Sequence, residues 1–99
     1  MTIKLVDRGT EGELLLEGRL DANTAPETGD IFAQAAERFD TVILNFAHLN
    51  YISSAGLRLL LKLQQDMRKK GGELLLTHVN KMVMEVLEMT GFAGLLHFQ

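Results

Sequence analysis

Two adjacent hydroxyls and a small-residue pair, Ser53-Ser54-Ala55-Gly56, follow an apolar run, Val42-Ile43-Leu44-Asn45-Phe46, and lead into a helical pattern from Leu57 through Met67. This order places the serines at the mouth of a helix, after a strand. The first amides of an α-helix have no acceptor within it, and the positive end of the dipole lies there. A serine at that point has two chemical uses. Its oxygen can accept from an amide of the first turn and cap the helix. It can also carry a phosphate, whose charge the same amides help to hold. Residue chemistry alone favours the cap, which is the commoner use. The two uses are compatible if Ser53 caps and Ser54 is modified.

Other chemistries find little support. The chain has no cysteine, which excludes disulfides, thiolate metal sites and cysteine phosphorelay or redox steps. That composition is compatible with a cytoplasmic home. His48, His78 and His97 are far apart, and no pair has helical spacing, so they read as surface or edge residues and not as metal ligands. No glycine-rich phosphate loop, HExxH helix or Ser/His/Asp set is recognisable, so neither catalytic residues nor a cofactor are expected. A phospho-receiver needs an aspartate at the end of a central strand, and here the strand ends Asn45-Phe46. Net charge is −3 and basic residues are scattered apart from Arg68-Lys69-Lys70, which argues against nucleic acid as a direct partner. Apolar runs of a few residues fall far short of a membrane span. Lys4, Asp7 and Arg8 in the first apolar run argue against a signal peptide.

The elements that must position the serines can be read from the same sequence. Ninety-nine residues, 46% hydrophobic and 23% charged, suit a single folded domain over residues 1–99. Ile3–Asp7 and Glu13–Glu17 read as strands joined by a turn at Thr10–Gly12, with Gly18 ending the second strand. Leu14-Leu15-Leu16 suits a strand covered on both faces or lying mid-sheet. Thr24 as cap, Pro26 in the first turn and Glu27 three residues beyond Thr24 start a helix that runs to Arg38, with Ile31, Ala35 and Phe39 inward. Thr41–Phe46 is a strand and Ala47–Ile52 a loop, with Asn45 capping the strand end or tying down that loop. The next helix spans Ser54–Lys70, with Leu57, Leu60, Leu61, Leu63 and Met67 inward, and Gly71-Gly72 stops it. Glu73–Val79 is a strand. Asn80 caps a helix ending at Gly91, with Val83, Val86, Leu87 and Thr90 inward and most of Met82, Met84 and Met89 in the core. Leu95–Phe98 is a last short strand. The order β-β-α-β-α-β-α-β predicts an α/β fold: a mixed, mostly parallel sheet with helices packed against it and an antiparallel opening hairpin. Asp21 then lies near the serines, because strand C-terminal ends share one sheet edge. By itself it reads as a turn residue before a helix.

Five segments, in register along almost the whole chain, carry a resemblance. They are Gly18-Arg19-Leu20-Asp21-Ala22-Asn23-Thr24-Ala25, Val42–Phe46, Tyr51–Leu57, Gly71-Gly72-Glu73-Leu74 and Leu87-Glu88-Met89-Thr90-Gly91-Phe92. Together they resemble the STAS domain family, the bacterial anti-sigma factor antagonists (anti-anti-sigma factors). The resemblance implies a non-enzymatic regulator of transcription that binds an anti-sigma factor and so releases a sigma factor. It implies as partners an anti-sigma factor with a GHKL-type serine kinase domain and a PP2C-type phosphatase, with no membrane partner. The phospho-acceptor it implies is Ser54. Ser53 stands where the best-studied form has Asp, so it is the second candidate. The partner-binding face it implies comprises Asp21, Asn23, Thr24, Ser53, Ser54, Gly56, Leu57 and Arg58. The alternative is a STAS-type adaptor outside sigma control, docking on a transporter ATPase or within a stressosome-like assembly.

Overall fold

Leucines at alternate positions of one strand, and apolar residues three and four apart on the helices, give each element a single apolar side, and the fold closes those sides on one another. A computed structural model describes residues Met1–Gln99. The elements are β1 (Thr2–Asp7), β2 (Glu11–Leu20), α1 (Ala25–Arg38), β3 (Thr41–Ile52), α2 (Ser54–Lys70), β4 (Glu73–Thr77), α3 (Lys81–Met89) and a 3₁₀ turn (Phe92–Leu95). The sheet order is β1-β2-β3-β4; β1 pairs with β2 antiparallel, and β2–β3 and β3–β4 are parallel. Leu14, Leu16 and Leu20 of β2, Val42, Leu44, Phe46 and Leu49 of β3, and Leu74 and Leu76 of β4 are buried in one cluster with Phe32, Leu57, Leu60, Leu63, Met67, Val83 and Leu87 of the helices. Leu15, Ile43 and Leu75 alternate with these residues, lie outside that cluster and belong to the opposite sheet face. The leucine triplet of β2 is therefore a mid-sheet strand with one covered face.

Several expected boundaries move. The hairpin turn occupies Arg8–Thr10, not Thr10–Gly12, because the Asp7 carboxylate accepts from the Gly9 amide and the Glu11 carbonyl accepts from the Arg8 amide. β2 does not stop at Gly18, and Ala47–Ile52 is not a loop. The two segments pair with each other as a parallel ribbon, Gly18 with Leu49 and Leu20 with Ile52, through register shifts at Leu15/Glu17 and Gly18/Arg19. Gly18 has φ +109°, a conformation that L side chains rarely adopt, so the strand can bulge there without ending. On α1 the buried face is Thr28, Phe32, Ala35 and Ala36, while Ile31 is half-buried. Asn45 lies within β3; its amide donates to Glu13 at 3.0 Å and its carbonyl oxygen accepts from the Ala47 amide. β4 ends at Thr77, before His78 at φ +55°.

α2 has the expected bounds, and Leu61 is half-buried beside its core stripe. Asn80 caps α3 by accepting from the Val83 amide at 2.8 Å, and it also donates to the Leu49 carbonyl at 3.0 Å. The inner face of α3 is Val83 and Leu87; Thr90 is exposed, its hydroxyl donating to the Val86 carbonyl. Met82 and Met89 are 53% and 86% exposed and Met84 half-buried, so the methionines flank the core and do not fill it. The last strand reduces to one bridge, Leu76 to Phe98, because Leu95 is taken into the 3₁₀ turn.

The end of α2 also serves α1. Lys70 Nζ donates to the Ala36 and Phe39 carbonyls at 2.7 and 2.8 Å, acceptors that the end of α1 leaves without helical partners. Hydrogen bonds of this charged kind each contribute about 1.5–3 kcal/mol net, and the exposure of Lys70 reduces that. Lys70→Met keeps the stem and removes the donors. It is expected to destabilise the fold by about 1–2 kcal/mol, read as a thermal midpoint lowered by roughly 4–16 °C; an unchanged midpoint would mean the carbonyls are equally well served by water.

Candidate functional site

The β2–β3 ribbon delivers two chain reversals to one corner. Leu20 and Ile52 are paired at its tip and both are buried. The Ser53 amide continues the pairing by donating to the Leu20 carbonyl at 2.9 Å, so Asp21 and Ser53 leave the sheet side by side. The corner can turn this tightly because Gly56 has no side chain. A Cβ there would stand 2.7 Å from Leu20 Cγ and 2.8 Å from Ile52 Cγ1.

The two serines divide the work. Ser53, extended at φ −100° and ψ 178°, occupies the N-cap position of α2. Its oxygen accepts from the Gly56 amide at 3.5 Å, a long contact, and its carbonyl accepts from the Leu57 amide at 2.9 Å. Of the four amides that the helix cannot satisfy internally, those of Ser54 and Ala55 belong to the open end. Ser54 is the first helical residue and its side chain is exposed. A group esterified there meets the positive end of a 17-residue helix with no acidic side chain in its first turn.

Asp21 is the structural centre of the second reversal. Its Oδ1 accepts from the Asn23 amide at 3.0 Å and the Thr24 amide at 3.2 Å, and Arg19 Nε stands 3.6 Å from Oδ2. It makes no hydrogen bond to either serine. Thr24 holds the N-cap position of α1 without capping through its side chain. Its hydroxyl points back, donating to the Arg19 carbonyl at 2.9 Å and accepting from the Asp21 amide at 3.0 Å. Asp21 binds the amides of the turn before α1, those of Asn23 and Thr24, and the cap bond expected of the Thr24 hydroxyl to the first turn of α1 is not made. Of the other nominated face residues, Asn23 and Arg58 are exposed, whereas Gly56 and Leu57 are buried and shape the corner from beneath. Arg19 and Tyr51 were not nominated. They are opposed across the ribbon, the guanidinium 4.2 Å from the ring centroid. Leu20 and Ile52 turned inward would have placed both neighbours outward, had the ribbon itself been legible.

The Thr24 amide, more than any other group, holds the Asp21 carboxyl below its ordinary range; the Asn23 amide and Arg19 charge act in the same direction, against desolvation. A depressed folded value means that the carboxylate stabilises the fold fully above the unfolded value, about 3.9, and that this contribution is lost as pH falls through the folded value. A carbon-detected NMR titration of Asp21 Cγ is expected to inflect below about 3.9. Asp21→Asn is expected to flatten the acid limb of the stability profile in the same window. An inflection at or above the unfolded value would contradict the amide cradle.

A family model described as the STAS domain matches residues 4–99. Over 74 residues, 75% of this chain, the sequence is 36% identical to BtrV of Bordetella bronchiseptica, a proposed anti-sigma factor antagonist; the match spans 64% of BtrV, short of two thirds of its length. The fold superposes on the anti-sigma factor antagonist SpoIIAA in its unphosphorylated form with a TM-score of 0.84 at 20% identity, covering 99% of this chain and 88% of that one. The Bacillus cell fate determinant SpoIIAA in its phosphorylated form gives 0.78 at 19% identity, covering 99% and 91%. A sulfate transporter family protein from Wolinella succinogenes gives 0.77 at 24% identity, covering 96% and 80%. No helix of this chain is long and apolar enough to cross a membrane.

Proposed function

This chain belongs to the STAS domain family, and from that premise we propose that it is an anti-sigma factor antagonist switched by phosphorylation of Ser54. Unmodified, it docks through the Asp21–Ser54 corner onto an anti-sigma factor that carries a GHKL-type serine kinase domain, and a sigma factor is released. The kinase transfers phosphate to Ser54 and the chain lets go; a PP2C-type phosphatase restores it. The observation that carries this reading is the division between the serines. Ser53 holds the N-cap position with its oxygen toward the Gly56 amide, while Ser54 stands exposed at a helix start suited to an anion.

Recovering the partner by pull-down and incubating it with this chain and ATP tests the proposal. The label is expected on the peptide containing Ser54, absent in Ser54→Ala and retained in Ser53→Ala. Full labelling of Ser54→Ala would overturn the assignment. The likeness to a sulfate transporter family protein favours one second reading, a STAS adaptor serving a transporter. Recovery of a transporter ATPase in place of a GHKL kinase would select it.

A further inference from the structure

The geometry points to the Arg19–Tyr51 pair as the anchor that sets partner specificity, by receiving a carboxylate from the docking protein. This rests on the docking face proposed above and adds to it a residue pair and a partner chemistry. β4 pairs with β3 only over Thr41–Asn45, and β1 reaches β2 only as far as Glu17. Beyond those points β2 and β3 have only each other in the sheet. One face of this two-stranded extension is core: Leu20, Leu49 and Ile52 are buried. Its other face carries Arg19 and Tyr51, whose side chains remain 60% and, by residue, 38% exposed.

Both partners are held in place before anything binds. The bulge at Gly18/Arg19, allowed by the positive φ of Gly18, shifts the register so that Arg19 opposes Tyr51. The guanidinium then lies over the ring at 4.2 Å, with Asp21 Oδ2 3.6 Å from Nε. Asp21 is itself fixed by two backbone amides, so the clamp is continuous with the turn. A cross-strand pair explains why Arg19 and Tyr51 attract one another. Cross-strand pairing alone does not require the pair to stay open on the same corner as Ser54. An arginine already stacked on a ring loses less side-chain freedom on binding than a free one, and its two terminal NH₂ groups, Nη1 and Nη2, make no hydrogen bond within the chain. A fork of that geometry accepts a carboxylate in two parallel hydrogen bonds. The charge also links the anchor to the switch: a dianion at Ser54 repels the carboxylate that the anchor is inferred to receive.

The test is calorimetry of the full chain against the recovered partner at two salt concentrations. Arg19→Gln is expected to weaken binding about tenfold or more at low salt and to flatten the salt dependence. Tyr51→Leu, which frees the guanidinium, is expected to weaken it less, and the double variant to add little to Arg19→Gln, as coupled residues do. Arg19→Glu is expected to lose binding and to recover it against one partner variant in which an acidic surface residue becomes lysine. Affinity within twofold for both single variants, with an unchanged salt slope and thermal midpoint, would overturn the inference. In that case Ser54→Glu, measured alongside, separates the two accounts: if it still weakens binding, the switch stands without the anchor.

Discussion

Leu20→Ala is expected to lower the unfolding free energy by about 3 kcal/mol, within the range of fully buried leucine truncations. In a 99-residue domain that corresponds to a midpoint lowered by roughly 12–24 °C. Leu20 is fully buried, and three features of the corner converge on it. Its side chain fills the space above Gly56, its carbonyl receives the Ser53 amide, and it ends the strand from which Asp21 departs. The truncation therefore removes packing under the switch as well as core volume. Amide exchange at Ser53–Leu57 is expected to accelerate beyond what global destabilisation requires. Leu20→Met, which nearly conserves volume, is expected to cost less than about 1.5 kcal/mol. Equal losses for the two variants would mean that Leu20 packs loosely and that the corner is held by its hydrogen bonds.

Ser54→Glu is expected to weaken partner binding about tenfold and to leave the fold at least as stable as before. Two effects of opposite sign explain the split. Within the chain, an acidic group in the first turn of α2 is favourable by about 0.3–1 kcal/mol. Ser54 is exposed, so the new side chain displaces no core atom. Across an interface the same charge must be desolvated and faces the partner's carboxylates, which for one carboxylate on an exposed position is expected to cost about 1.4 kcal/mol. Each 1.4 kcal/mol is a factor of ten. Ser54→Gln, the neutral isostere of glutamate, separates charge from bulk and is expected to bind within about threefold of the unmodified chain. Surface plasmon resonance with thermal melts on the same preparations checks both halves. Equal weakening by Gln and Glu would assign the effect to shape alone.

Much of this site was legible because its signals are local. Ser53 as cap and Gly71-Gly72 as stop delimit α2 without reference to the rest of the molecule, and the structure has the same bounds. The parallel core followed from alternating strand and helix patterns. What failed was non-local. Leu49 and Ile52 are buried three residues apart, and Leu49 lies three beyond Phe46, so the two-residue strand period is lost after Phe46. Bulges in the β2–β3 pairing produce that spacing, and only the partner strand reveals them. Polar His48 and Asn50 completed the appearance of a loop. The hidden ribbon concealed Arg19 and Tyr51 as well. Thr24 differs from its expected role for a related reason: residue type marks a helix start, but its hydroxyl is drawn back to the Arg19 carbonyl and the Asp21 amide and so caps no amide of α1. Hydropathy alone could not distinguish the methionines of α3 from its core face, which is narrowed to Val83 and Leu87.

The central claim is that negative charge at residue 54 ends docking while the domain stays folded. The direct measurement is a calorimetric titration of the partner with chain carrying phosphoserine only at position 54, paired with its amide NMR spectrum. The account predicts an affinity at least about a hundredfold below that of the unmodified chain, with amide shifts changed only around Asp21 and Ser53–Arg58. An affinity within threefold of the unmodified chain, or a spectrum altered throughout the sheet, would contradict it.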